Sequence, residues 1–352
     1  MKQKHGLNRF KWIALSVVLM VIVSGCKPIN QFFVRPMIKP TGDAITLLAE
    51  AHIVPYAFTT DDLEMGCTGA EASTALVMSF SRVTEEPHEL GTLLYTAAGA
   101  CEEERAFQKE LEYLRYIRLQ MPDMAQDALI AQKNHHIKAA KRFLKGWQEL
   151  LKFNDGKEIG GVCPRMEQDF DELIWFVGVA AGLQALNHDI LSGIGIGVPK
   201  NIAAQAERAL NCIDNKKWFG LPMSIKAAIW TLLPGALPEG EDNWARLEEA
   251  DLIGEKARVR LPHMIHLVAA YAKGDNDRVR KVIKRHVEQI DQFDPNQSYR
   301  LLDAIGTNGV QRFSDRMWTE AVGHRTPVGG LGTFWDENAA DNIDTVDLDD
   351  LF

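Results

Sequence analysis

Two histidine pairs in this chain have the residue type needed for metal binding or proton transfer. His263 and His266 lie three residues apart, so on a helix they would face the same side. His135 and His136 are adjacent and would point in different directions. A metal centre needs about three or four nitrogen, sulfur or oxygen ligands, and no cysteine or acidic residue close in sequence completes a set around His263 and His266. We therefore expect buried or partly exposed histidines, with no metal site and no cofactor.

Cys26 ends a segment with the features of an export signal. A basic start leads into a twelve-residue apolar run, Trp12 to Val23, and Val23-Ser24-Gly25-Cys26 closes it. This run is shorter than the roughly 20 apolar residues of a membrane-spanning helix. Small residues before a cysteine resemble the lipobox of bacterial lipoproteins. The resemblance implies that residues 1–25 are removed, that Cys26 is lipidated, and that the chain faces the periplasm. An Asp directly after the lipidated cysteine is typical of lipoproteins that stay in the inner membrane. This chain has Lys27 there, which favours the outer membrane. The rival interpretation is an uncleaved apolar helix.

The other four cysteines are an even number for an oxidising compartment, which favours disulfides over metal ligands. If the chain reverses near Glu85, Cys67 lies 18 residues before the turn and Cys101 lies 16 after it. In an antiparallel helix pair rising about 1.5 Å per residue, the two cysteines would stand at nearly equal height. We therefore predict a disulfide between Cys67 and Cys101. The sequence leaves open whether Cys163 pairs with Cys212.

The other candidate motifs are typical of connecting loops or solvated segments and not of catalytic or ligand-binding sites. Residues 193–197 (GIGIG) follow a helix and lack the preceding strand and Lys or Ser of a phosphate-binding loop, so they predict a flexible connector. Residues 341–350 approach calcium-loop spacing without its central Gly and final Glu, which indicates a solvated acidic tail or a docking peptide. The sequence contains no recognisable Ser/His/Asp or Cys/His set, so we do not expect an enzyme. An enzyme of unknown class stays as an alternative.

Composition excludes some classes of partner and of fold. The chain has 48 acidic and 39 basic residues, and loss of residues 1–25 would remove four basic residues and no acidic one. Duplex nucleic acid is therefore not an expected partner. Hydrophobic residues make up 46% of the chain, enough for one large core or two coupled cores.

The hydrophobic periodicity predicts an all-α protein, because apolar residues recur at helical spacing and no segment alternates like a strand. Residues 26–42 contain three prolines and predict a membrane tether, whereas residues 321–352 predict a Gly-rich and acidic tail. The helical domain spans residues 43–320. Helices are expected at 43–53, 68–83, 88–119, 123–153, 166–188, 199–213, 222–233, 243–254, 257–273, 275–291 and 297–320.

One predicted helix differs from the others because it is apolar all round. From Leu173 to Leu186 only Gln184 is polar, so other helices should enclose this segment. Gly178 and Gly182 would let those neighbours approach closely. The preceding helix has one apolar face and a basic face that we expect to be solvated: Lys138, Lys141, Arg142 and Lys145. Five tryptophans are expected mostly in the core, with a binding groove as the alternative: Trp147, Trp175, Trp218, Trp230 and Trp244.

Residues 270–277 (AYAKGDND) resemble the turn between the two helices of a tetratricopeptide repeat, in which Gly ends the first helix at positive φ. No 34-residue period runs through the chain, so any repeats are divergent. The expected fold is antiparallel helix pairs in a TPR-like domain.

The ordered series of segments resembles the TatT family, the lipoprotein T component associated with TRAP (tripartite ATP-independent periplasmic) transporters. Coverage is about residues 43–320, and the matching segments are 75–78 (ALVM), 93–99 (LLYTAAG), 106–107, 131–151, 171–176 (DELIWF) with Gly182, 208–210 (RAL), 233–235 (LPG), 262–270 and 291–302 with the helix up to 318. Its four mature cysteines and residues 321–352 depart from the family pattern.

This resemblance implies a helical lipoprotein that binds the periplasmic substrate-binding protein of a TRAP system, with a small apolar ligand in the helical body as a further implication. The membrane would be reached through the lipid anchor. The alternative is a TPR-like scaffold for interactions between envelope proteins. The oligomeric state, a homo-oligomer included, stays open.

Overall fold

A computed structural model describes residues 35–82 and 87–337 of the chain. These residues form helices joined by turns, with no strand among them. The helices are α1 (Arg35–Leu48, continuing through Ala49–Ile53 and Val54–Phe58), α2 (Leu63–Ser79), α3 (His88–Arg118), α4 (Pro122–Phe153), α5 (Asp169–Ser192), α6 (Ile202–Ala209), α7 (Leu221–Leu232), α8 (Asn243–Ala257), α9 (Leu261–Ala272), α10 (Asn276–Gln292) and α11 (Arg300–Val322).

The all-α prediction is confirmed, and most helices begin and end within a few residues of the expected bounds. The largest difference is at the start, where α1 begins at Arg35, inside the segment predicted to be a tether. Pro36 stands in the first turn, where a backbone N–H has no partner in the helix, so it does not oppose the helix there. The prolines therefore led to a predicted tether that extends past the start of α1.

Side-chain caps explain several helix starts. Asp62 accepts a hydrogen bond from Met65 N at 2.8 Å to begin α2, and Asp275 accepts one from Arg278 N at 3.0 Å to begin α10. Gln168 and Asp171 form a capping box at the start of α5. Each cap satisfies a backbone N–H that has no partner in the first helical turn, which fixes where the helix begins.

Helices α3, α4 and α5 form the central layer, and glycines set how closely they pack. A Cβ atom at Gly182 would lie 2.4 Å from the Trp147 ring, and one at Gly178 would lie 2.7 Å from Leu150. Any larger residue would push α4 and α5 apart. The central position expected for α5 is thus confirmed, although α5 is not enclosed along its whole length: Val177 and Leu183 are only partly buried.

Helices α8 to α11 form the C-terminal layer. Gly274 adopts φ 69° in the turn between α9 and α10, in agreement with its predicted role. A buried ion pair holds the layer together, since Arg260 and Asp303 are 4% and 3% exposed and Arg260 Nε donates to Asp303 Oδ1 at 2.8 Å. The segment after α11 is not a free tail up to Glu337, because Phe334 is buried and Arg280 binds Asp336. Residues 338–352, with the acidic stretch 341–350, lie outside the described residues.

Two disulfides brace the structure. Cys67 of α2 is bonded to Cys101 of α3 with Cα atoms 5.6 Å apart, as the helix-pair geometry predicted. Cys163 is bonded to Cys212 with Cα atoms 5.5 Å apart. The sequence had left open whether these two cysteines pair. Cys26 lies outside the described residues, so its lipidation stays a prediction.

Candidate functional site

Several exposed apolar residues of the central layer gather at its end where α3 leads into α4. Helices α3 and α4 meet there in a tight turn, in which Gln120 adopts φ 56° and Met121 N donates to Tyr116 O. Helix α5 ends short of this turn, because Gly193 lies next to Lys133, about three helical turns along α4. We call the α3–α4 end the apolar tip and define it by five exposed residues: Ile117, Leu119, Met121, Met124 and Ile130.

The tip is the kind of surface that proteins use for binding. Ile117 and Leu119 are 53% and 64% exposed, although each is large and aliphatic. A soluble surface carries scattered apolar residues, whereas a contiguous group of them marks an interaction site. Methionine adds adaptability, because its flexible thioether fits differently shaped partners. No motif in the sequence indicated this site, since its residues come from the end of α3, the turn and the start of α4.

A groove lies at the opposite end of α3 and α4. It encloses about 650 Å³ between α1, the start of α3 and the end of α4. Four carboxylates line it together with His88 and Lys152: Asp43, Glu50, Glu89 and Asp155. Burial, and then the charge of Glu89, raises the pKa of Glu50. The lining is therefore polar and acidic, which does not suit a small apolar ligand.

The first buried histidine network links α4, α5, α3 and α11. His136 Nδ1 and His188 Nδ1 lie 2.9 Å apart, and His188 Nε2 lies 3.4 Å from Glu103, which also binds Arg312 at 3.1 Å. Burial and the neighbouring His188 lower the pKa of His136 to about 4. Burial opposes ionisation of Glu103, but Arg312 and His188 outweigh it and lower its pKa to about 2. At neutral pH the network therefore holds a neutral His136 beside a charged Glu103–Arg312 pair.

The second network links α8, α9 and α10 around the histidines singled out above. His263 Nδ1 lies 3.0 Å from His286 Nδ1, and its Nε2 lies 2.9 Å from Glu255, which also binds Arg285. His266 instead pairs with Asp251 at 2.7 Å. Burial, and then His263, lowers the pKa of His286 well below its usual value.

His263 and His266 are buried as expected, and each binds an acidic residue that the sequence did not single out. Glu255 and Asp251 are several residues away in sequence and reach them across the α8–α9 packing. Within the described residues, no group of three or more His, Cys, Asp or Glu side chains has the arrangement of a metal site. His135 and His136 have separate partners, since His135 binds Glu102.

The remaining sequence candidates lie in the core or in connections. Residues 193–197 form the irregular link after α5, as predicted. Of the five tryptophans singled out in the sequence, Trp244 is partly buried against the core. The other four are at most 7% exposed: Trp147, Trp175, Trp218 and Trp230. By length and composition α5 would be able to cross a membrane, but 56% of its most apolar window is buried inside the protein.

Comparison of the chain with family models, with curated proteins and with solved structures found no match.

Proposed function

We propose that this protein is a lipid-anchored, periplasm-facing accessory of a TRAP-type transport system and that it binds the periplasmic substrate-binding protein through the apolar tip. The observation that carries the proposal is the exposure of the tip on a rigid support. Leu119 and its neighbours lie where α3 leads into α4, and these two helices pack along each other and against α5. A rigid apolar surface loses little conformational entropy when a partner binds.

The position of the tip also favours this function. Helix α3 has 31 residues, so the tip lies about 45 Å from the end of the bundle on which α1 packs. Lipidation at Cys26 would attach the membrane at the α1 end of the chain. A partner could then reach the tip without competing with the anchor. This arrangement suits an accessory that meets a protein in the periplasm.

The choice of partner comes from the resemblance to the TatT family, and the acidic composition is compatible with a partner that carries basic patches. Affinity should be modest, because a transport accessory releases its partner in each cycle. A small apolar ligand would have to bind elsewhere than the acidic groove described above.

The test is a pull-down from detergent-solubilised envelope with the lipidated native protein. Mass spectrometry of the bait establishes whether it begins at an acylated Cys26. We expect a substrate-binding protein among the captured proteins, also after deletion of residues 338–352, which spares the ion pairs of Asp336 and Glu337. Capture of outer-membrane assembly proteins in its place would support the scaffold alternative. Loss of capture on the deletion would move the contact to the acidic tail.

A further inference from the structure

The outward side of α2 is an exposed helical face with no charge over most of its length. After Glu64 in the first turn, every exposed residue of this helix is small, polar or apolar: Met65, Gly66, Thr68, Gly69, Ala72, Ala75, Leu76 and Ser79. Met65 and Leu76 are 55% and 59% exposed. The one other charge on the helix, Glu71, is turned inward and binds Arg105 and Arg142.

Lysines of α4 flank this uncharged face. Lys138, Lys141 and Lys145 are exposed and follow one another at helical spacing. Among the residues that the structure describes, none of the three forms an ion pair, although the chain has more acidic than basic residues. Arg142 of α4 binds Glu71 of α2. Lys138 and Lys145 lie one turn before and one turn after Arg142, so they are on the side of α4 that faces α2.

We propose that this surface, the uncharged side of α2 with Lys138, Lys141 and Lys145, lies on an anionic phospholipid membrane. Shallow apolar residues flanked by lysines are the composition that the headgroup layer accepts, because long lysine side chains reach lipid phosphates while their stems cover apolar surface. Near an anionic surface each lysine strengthens binding about fivefold.

The start of the domain supports a membrane as the occupant. Eight residues lie between Cys26 and Arg35, so α1 begins within about 30 Å of a lipid attached to that cysteine. Helices α1 and α2 pack together, since Ala49 and Val77 share a buried cluster. Helix α2 therefore packs on the first described element that follows the lipid attachment in a lipidated chain. This part of the argument rests on the lipoprotein assignment in the proposed function.

A protein partner fits this face less well than lipid does. Interfaces between proteins depend on a few large anchors, often aromatic, whereas α2 offers Met65 and Leu76 among small residues. The apolar tip, with five large side chains at the far end of the bundle, has the composition of a protein-binding surface. In this proposal the α2 surface binds lipid and the apolar tip binds protein.

Amine labelling tests the proposal on the lipidated protein in phosphatidylcholine vesicles with and without phosphatidylglycerol. Lys200, Lys273 and Lys281 are matched controls, because they are exposed elsewhere on the molecule. We expect phosphatidylglycerol to slow acylation of Lys138, Lys141 and Lys145 about fivefold or more and to leave the control lysines unchanged. Equal labelling in the two vesicles would overturn the proposal. Protection already present in detergent would overturn it in favour of a protein contact.

A pair of triple variants extends the test to α2. The change K138E/K141E/K145E should abolish the slowing of amide exchange that anionic vesicles cause in residues 65–79, and K200E/K273E/K281E should preserve it. Retained slowing in the first variant would contradict a role for the lysines. Capture of the substrate-binding protein is measured in detergent without a bilayer. The two experiments therefore distinguish failure of the membrane proposal from failure of the proposed function.

Discussion

The central layer and the C-terminal layer are both helical, but different forces hold them. In the central layer, α4 and α5 meet through glycines against Trp147 and Leu150, and a disulfide joins α3 to α2. In the C-terminal layer, both partners of an ion pair enter the core, as Arg260 and Asp303 show. Each layer also contains a buried histidine pair. The central layer also buries the carboxylates Glu102 and Glu149, but their partners His135 and Lys152 stay partly exposed. The layers therefore differ in whether the partner of a buried charge is itself buried.

The largest effect should follow a charge in the middle of α5. Val179 is fully buried between the helices of the central layer, so Val179→Asp leaves a carboxylate without water or a partner. We expect loss of the fold, seen as a collapse of the helical circular dichroism signal at room temperature. Val177 is only partly buried, and Val177→Asp serves as the matched control with a smaller loss of stability. Equal stability of the two variants would show that α5 is not packed as described.

In the C-terminal layer, the corresponding test removes one partner of the buried ion pair. Asp303→Asn leaves the Arg260 guanidinium uncompensated in the core, which should lower the free energy of unfolding by about 3–5 kcal/mol. Urea denaturation measures the change. Asp61 also binds an arginine but at the surface, so Asp61→Asn should cost about 1 kcal/mol or less. A small effect of Asp303→Asn would mean that apolar packing dominates in both layers.

The histidine pair of the central layer should make stability depend on pH. The pKa of His136 is lowered to about 4 in the folded protein, whereas an unfolded histidine titrates near 6.5. The unfolded state then binds more protons between these two values, so stability is complete above about pH 6.5 and falls as the pH drops toward 4. Thermal unfolding of His136→Gln should show a shallower loss over this range. An unchanged slope would assign the acid sensitivity to other groups, with His286 as the first candidate.

Local patterns in the sequence predicted the helices because each needs only neighbouring residues, as the caps at Asp62 and Asp275 illustrate. Cys67 and Cys101 were also predictable, since their helices follow each other in the chain and pack as an antiparallel pair. The partners of the histidines were not, because Glu103, His188 and Arg312 meet only after three separate helices pack. The apolar tip was missed for the same reason. Its residues resemble any apolar helix position until the structure shows that nothing among the described residues covers them.

The most direct test of the account places a photo-crosslinking residue at Leu119 of the lipidated protein in native envelope. Leu252 is similarly exposed on α8, outside the tip, and provides the control position. We expect the residue at position 119 to crosslink to a periplasmic substrate-binding protein, and the residue at 252 to give no such product. Crosslinks to that protein from position 252 alone, or to envelope assembly proteins from position 119, would contradict the account.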